Sequence, residues 1–228
     1  MDLSSFSLII SVYVIPVLFA ITLHEVAHGR TARYFGDRTA ELLGRLSLNP
    51  LRHIDPIGTL LLPGALLALQ LPPFGWAKPV PVSISALRNP RRAAIIIALA
   101  GPAANILMAL LWCAALVVLS RIRPGSVLNN SGSMLVLDDW LMLMAQAGIE
   151  VNVLLAMFNL LPIPPLDGGR ALAGLLPPPI GASLEKIAPV GIFIVVGLSV
   201  FRLLGWLFDP ALRATNHLIH ELLKRHVA

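Results

Sequence analysis

The chain has 228 residues, 57% of them hydrophobic and only 13% charged, against about 25% charged in a soluble domain. With a mean hydropathy of +0.81, it carries more apolar surface than so small a globule can hide. That excludes an ordinary soluble domain and predicts one membrane-embedded domain over residues 1–228.

In chain order, residues 1–7 contain Asp2 and no basic residue, so a cleavable signal is not expected. Residues 6–23 are apolar and continue as a helix to about Tyr34, giving a first span. Residues 36–56 are turn-rich and hold Arg38, Arg45 and Arg52. Within them, residues 42–48 partly alternate, a weak strand signal. Residues 57–71 are apolar but shorter than the roughly 20 residues a span needs, so a re-entrant dip is expected. A Pro-rich connector covers 72–90. A second span covers 93–120, with Gly101-Pro102 marking a kink or an irregular turn. Cys113, the single cysteine, lies in that span, so no intrachain disulfide is possible. A third span covers 140–161 and is broken by Pro162, Pro164 and Pro165. A last span is expected at 188–208, after a core of 6–180, followed by a polar amphipathic tail at 209–228. The expected fold is an all-α polytopic bundle with a small irregular or β-like element after the first span. Arg30, Arg33, Arg38, Arg45 and Arg52 all follow the first span, and no Lys or Arg precedes it. The positive-inside rule then puts residue 1 outside and Arg30 in the cytoplasm. The net charge of +5 fits basic loops at anionic headgroups, and no nucleic-acid motif accompanies it.

His24-Glu25-Val26-Ala27-His28 has the HExxH spacing. Residues four apart on a helix share a face, so both imidazoles can reach one ion. Glu25 is turned about 100° from His24, near the metal but off the ligand face. Zinc brings the pKa of bound water towards about 7, and a carboxylate so placed can take the proton. A catalytic zinc needs a third protein ligand and an open position. His53 lies in a basic loop and reads as a surface histidine. His217, His220 and Glu221 share a polar face with Lys224 and Arg225 and read as a solvated or headgroup-facing helix. Glu150 is mid-span, at the wrong depth. Asp167 fits best. Three prolines stop the third span, and extended backbone carries the carboxylate back towards the bundle. Such backbone is tolerated at membrane depth only against protein or a water-filled cavity. A plain Pro-rich loop with an Asp-Gly turn is the alternative.

Three blocks occur in order: HEVAHG at 24–29, GPAAN at 101–105 and NLLPIPPLDGG at 159–169. Here the sequence resembles the site-2 protease family of intramembrane metalloproteases. GRLSLNPLRHIDPIGTLL at 44–61 and GWAKPVPV at 75–82 are similar to its compact bacterial branch, without PDZ or CBS segments. The resemblance covers most of residues 10–180. It implies one zinc per chain held by His24, His28 and Asp167, with Glu25 catalytic. It implies cleavage in or near the transmembrane segment of a single-pass protein, in a bacterial plasma membrane, with the site towards the cytoplasm. Asn105 and Asn159 fall at motif positions and are implied in substrate binding or oxyanion support. An interhelical hydrogen bond is the other reading of each. Two rival functions are an inactive zinc-bound scaffold or chaperone, against which an intact Glu25 argues, and a metal transporter. A transporter would need several midplane ligands along a path, and the spans offer few beyond this cluster.

Overall fold

The computed structural model describes residues 3–68, 75–122, 137–201 and 203–227, and is helical with no strand among them. Helix α1 (Leu3–Tyr34) has 32 residues, about 48 Å at 1.5 Å per residue. It ends in a Schellman turn. Gly36 takes φ +107°, its N–H bonds to Arg33 O, and the Asp37 N–H bonds to Ala32 O.

The cap after α1 corrects the strand expectation. Helix α2 (Thr39–Leu42) runs into turns closed by Gly44 N–H to Glu41 O and Arg45 N–H to Ala40 O. These local bonds take the backbone groups a strand would have needed. Arg45 donates to the carbonyls of Arg52 and Lys78, tying the cap to residues 75–83 instead of lining one face of a sheet. Asp37 anchors the same cap. It is buried, and accepts from Thr39 N–H at 2.9 Å, Thr39 Oγ1 at 2.5 Å and Ser83 N–H at 2.6 Å. Burial alone would raise its pKa, but the Thr39 and Ser83 donors outweigh burial and hold it below the usual carboxylate value. A depressed folded pKa gives stability that is present above the unfolded pKa of about 3.9 and is lost as pH falls through the folded value. Asp37→Asn should therefore lower the unfolding midpoint in detergent by about 2–6 °C at pH 7, with the gap closing below about pH 4. A gap that stays constant down to pH 3 would contradict this account.

Pro56–Leu61 and helix α3 (Leu62–Ala68) form one short apolar helical run, where the re-entrant dip is expected. Residues 75–83 follow as an extended strap, with Trp76 N–H on Gly58 O and Lys78 N–H on His53 O. Helix α4 (Pro90–Ile122) starts with Pro at its first position and continues through Pro102. Helices α5 (Leu137–Asn159), α6 (Asp167–Leu175), α7 (Pro178–Glu185), α8 (Ala188–Val200) and α9 (Leu203–Val227) complete the chain.

Among the described residues, three helical stretches are long and apolar enough to cross a membrane: Ile10–Tyr34, Pro90–Ile122 and Trp140–Asn159. α1, α4 and α5 pack on one another through small buried residues, among them Ala20, Ala98, Ala109, Ala145 and Ala156. Small side chains let backbones approach where lipid removes the hydrophobic drive between helices. The expected last span at 188–208 is divided. α8 ends at Val200 and pairs with α7 across a 61° bend, a fourth candidate crossing. The chain breaks there so that α9 can lie along α4 and α5. Phe208 meets Phe158 edge-on at 6.5 Å, and Ile219 packs into the Leu116, Met142, Ala145 and Ile149 cluster. The tail is thus docked on one face, and exposes Asp209, Arg213, His217 and His220 on the other. Arg91, at the start of α4, donates to the carbonyls of Gly174, Leu175 and Leu176. That clamps the far end of α6 beside α4.

Candidate metal centre

α1 places His24 and His28 one turn apart, with ring centroids 4.6 Å from each other. Asp167 arrives from the other side of the bundle. Pro162, Pro164 and Pro165 end α5 and reverse the chain. Gly168 and Gly169 then pass against the Leu160 carbonyl and the Ile163–Pro164 backbone, where no Cβ fits. Asp167 therefore opens α6 beside the end of α5, in a first helical turn that favours a carboxylate. The result is a tight triangle. Nε2 of His24 and Nε2 of His28 are 3.0 Å apart, and Asp167 Oδ2 lies 3.1 and 3.2 Å from them. All three residues are buried, at 8%, 9% and 6% exposure.

The protons show what this triangle is built to hold. His24 Nδ1 is 2.6 Å from Asn105 Oδ1, and His28 Nδ1 is 2.6 Å from Ile97 O. Both partners can only accept, so both Nδ1 atoms carry a proton, and in the neutral imidazoles both Nε2 atoms present lone pairs. Asp167 Oδ2 is buried and makes no hydrogen bond. Three lone-pair atoms facing one another repel. One extra proton would relieve a single edge of the triangle, whereas one cation relieves all three. Ligands at 2.0–2.1 Å in a tetrahedron lie about 3.3 Å apart, close to the spacing here. Two histidines and a carboxylate with a fourth position open are a catalytic zinc set. Gly101 of α4 forms the adjoining wall, and a Cβ there would strike both imidazoles.

Glu25 lies outside the triangle. Its Oε2 accepts from Val80 N–H at 2.8 Å, so the strap fixes the carboxylate beside the ligands. Neighbouring Pro79 and Pro81 have no N–H to offer.

His53 is buried, not a surface residue, and its Nε2 donates to Ser47 O inside the cap. His217 and His220 are exposed on α9, and Glu221 pairs with Lys224 at 3.5 Å. Glu150 accepts from the Tyr13 hydroxyl at 3.1 Å. Asn105 has no exposed surface and both ends of its amide are engaged, by His24 on one side and by Ala20 O and Asn152 on the other. Its amide thus makes hydrogen bonds to two other helices. Asn159 donates to Leu155 O in its own helix. Sequence reasoning missed Asn152, Val80 and the cavity-forming role of Gly101. An amide inside an apolar span was the available signal for Asn152.

A helical bundle with several membrane-spanning segments and a buried His₂-carboxylate centre defines a multi-pass membrane metalloprotein. Residues 12–198 match peptidase family M50. YwhC of Bacillus subtilis, provisionally named a zinc metalloprotease, is 35% identical over 209 residues, spanning 92% of this chain and 89% of its own length. Rip2 of Mycolicibacterium smegmatis, provisionally named likewise, is 34% identical over 202 residues, spanning 84% of this chain and 71% of its own. Rip2 of Mycobacterium tuberculosis H37Rv is 33% identical over 210 residues. No solved structure matches. The chain belongs to peptidase family M50 and is a zinc metalloprotease.

Proposed function

We propose that this protein hydrolyses a peptide bond in or beside the transmembrane segment of a single-pass membrane protein. The site faces the cytoplasmic side of a bacterial plasma membrane. The observation that carries this reading is the placing of the buried His24–His28–Asp167 triangle between membrane-spanning helices, with Glu25 next to it. Arg30, Arg33, Arg38, Arg45 and Arg52 gather at that end of α1, which supports the cytoplasmic side.

In this reading His24, His28 and Asp167 hold zinc, which supplies Lewis acidity towards a water and the scissile carbonyl. Asn105 and Ile97 O fix the two imidazoles, and the start of α6 fixes the carboxylate. Glu25, aimed by Val80 N–H, takes the proton of the attacking water and returns it to the leaving amine. Asn159, at the end of α5, contacts substrate.

The test compares new protein termini in membranes of cells carrying the parent or the His24→Ala variant, read by mass spectrometry. Parent-specific termini should fall within or next to single-pass transmembrane segments, towards their cytoplasmic ends. Parent-specific termini confined to soluble regions would sink the membrane-substrate reading and leave the metalloprotease assignment standing.

A further inference from the structure

We infer that Asn152, in the middle of α5, is a positioning residue for the metal centre, acting through Asn105 on His24. The inference rests on the proposed ligand role of His24. Asn152 has no exposed surface, hydrogen-bonds to Asn105 and Gly148 and not to the three ligands, and lies in none of the motif blocks. Its Nδ2 donates to Gly148 O at 2.8 Å, which leaves Oδ1 pointing towards α4. That oxygen accepts from Asn105 Nδ2 at 2.9 Å, and Ala20 O accepts from the same group at 3.2 Å. Asn105 Oδ1 is thereby turned to His24 Nδ1 at 2.6 Å.

Every bond in this chain runs in one direction. A backbone carbonyl sets the Asn152 amide, Asn152 sets Asn105, and Asn105 holds the proton on His24 Nδ1. The lone pair of Nε2 is then left facing His28 and Asp167. A flip of the Asn105 amide would reverse the last link. Its NH₂ would face Nδ1, the proton would move to Nε2, and the lone pair would be lost to a metal. Asn152 Oδ1 opposes that flip because it accepts and has no donor to offer on that side. The network also joins α1, α4 and α5 at one level, since Ala20, Asn105 and Asn152 come from three helices. Groups behind a ligating histidine govern its tautomer and orientation, and their loss costs about 10–100-fold in metal affinity. Ala20 O still restrains Asn105 when Asn152 is gone, so the lower end of that range applies.

The test uses the full-length protein in detergent or nanodiscs, loaded with zinc or cobalt. Asn152→Leu keeps the volume and removes the acceptor, whereas Asn152→Asp keeps an acceptor oxygen in place. With excess chelator, the Leu variant should release zinc about tenfold faster than the parent. Its cobalt ligand-field bands should shift, and the Asp variant should stay near the parent in both readouts. Leu and parent behaving alike would overturn the inference, and so would Leu and Asp releasing zinc equally fast. Should Asn152→Leu fail to fold, Asn152→Ala is read against the parent by the same two criteria. His24→Ala separates the two layers. Stoichiometric zinc in that variant would show that the ligand assignment has failed, whereas loss of zinc there with unaltered Asn152→Leu would show that only the positioning role has.

Discussion

Replacing Glu25 with Gln should lower peptide-bond cleavage by about 10²–10⁴-fold, the range for a lost general base, and leave zinc stoichiometric. The geometry separates these two effects. Glu25 is outside the ligand triangle, so its charge is not needed to hold the metal. A Gln side chain has the same length and an amide oxygen that can still accept from Val80 N–H, so the strap over the site keeps its anchor. What is lost is the ability to take a proton from water. His24→Ala, His28→Ala and Asp167→Ala should behave differently, losing zinc and cleavage together. Metal content by mass spectrometry and turnover of a reconstituted membrane substrate are measured on the same preparations. Normal turnover by Glu25→Gln would remove Glu25 as the base. Zinc loss in that variant would make Glu25 a ligand.

Much of this site is legible in the sequence because its signals are local. HExxH on one helix needs only the helical repeat to bring His24 and His28 together. The three prolines before Asp167 announce that the backbone stops being helical where a carboxylate is wanted. Hydropathy finds α1, α4 and α5 because each is long and nearly uncharged. The failures share a different cause. The alternation at 42–48 is overruled by turn bonds that take the backbone groups of Gly44 and Arg45, and by tertiary bonds, with Arg45 reaching across to the strap and Asp37 drawing Thr39 and Ser83 together. The apolar run at 188–208 hides a break, because composition cannot say that Phe208 belongs with Phe158 while Phe201 faces outward. His53 looks like a loop residue until the strap folds over it and takes its carbonyl. Asn152 is the clearest case. Its partner lies 47 residues away in sequence, and nothing in its own neighbourhood says which helix it faces.

The three ligands alone do not make a metal centre, because the space between them must also be kept open. Gly101 of α4 borders that space. A Cβ at Gly101 would sit 2.6 Å from His24 Nε2 and closer still to His28 Nε2. Neither imidazole can swing away freely, since Nδ1 of His24 is held by Asn105 and Nδ1 of His28 by Ile97 O. Gly101→Ala should therefore push the two Nε2 atoms off their shared position and abolish stoichiometric zinc binding, and cleavage with it. The fold of the metal-free protein should be affected far less. Alanine is better in a helix than glycine by about 1 kcal/mol, and α4 continues unbroken through this position. With chelator present, the unfolding midpoint of Gly101→Ala should fall by no more than a few degrees, because the helix gain partly offsets the roughly 1–3 kcal/mol cost of displacing the two imidazoles. With zinc present, only the parent midpoint should rise, because only the parent binds the ligand in its folded state. The measurement is a pair of thermal unfolding curves for each protein, with and without zinc, alongside metal content. Full zinc occupancy in Gly101→Ala would mean that the imidazoles have room this structure does not give them, and the cavity account would fall. Loss of zinc together with a collapsed metal-free midpoint would instead make Gly101 a packing residue, with its effect on the metal secondary to the fold.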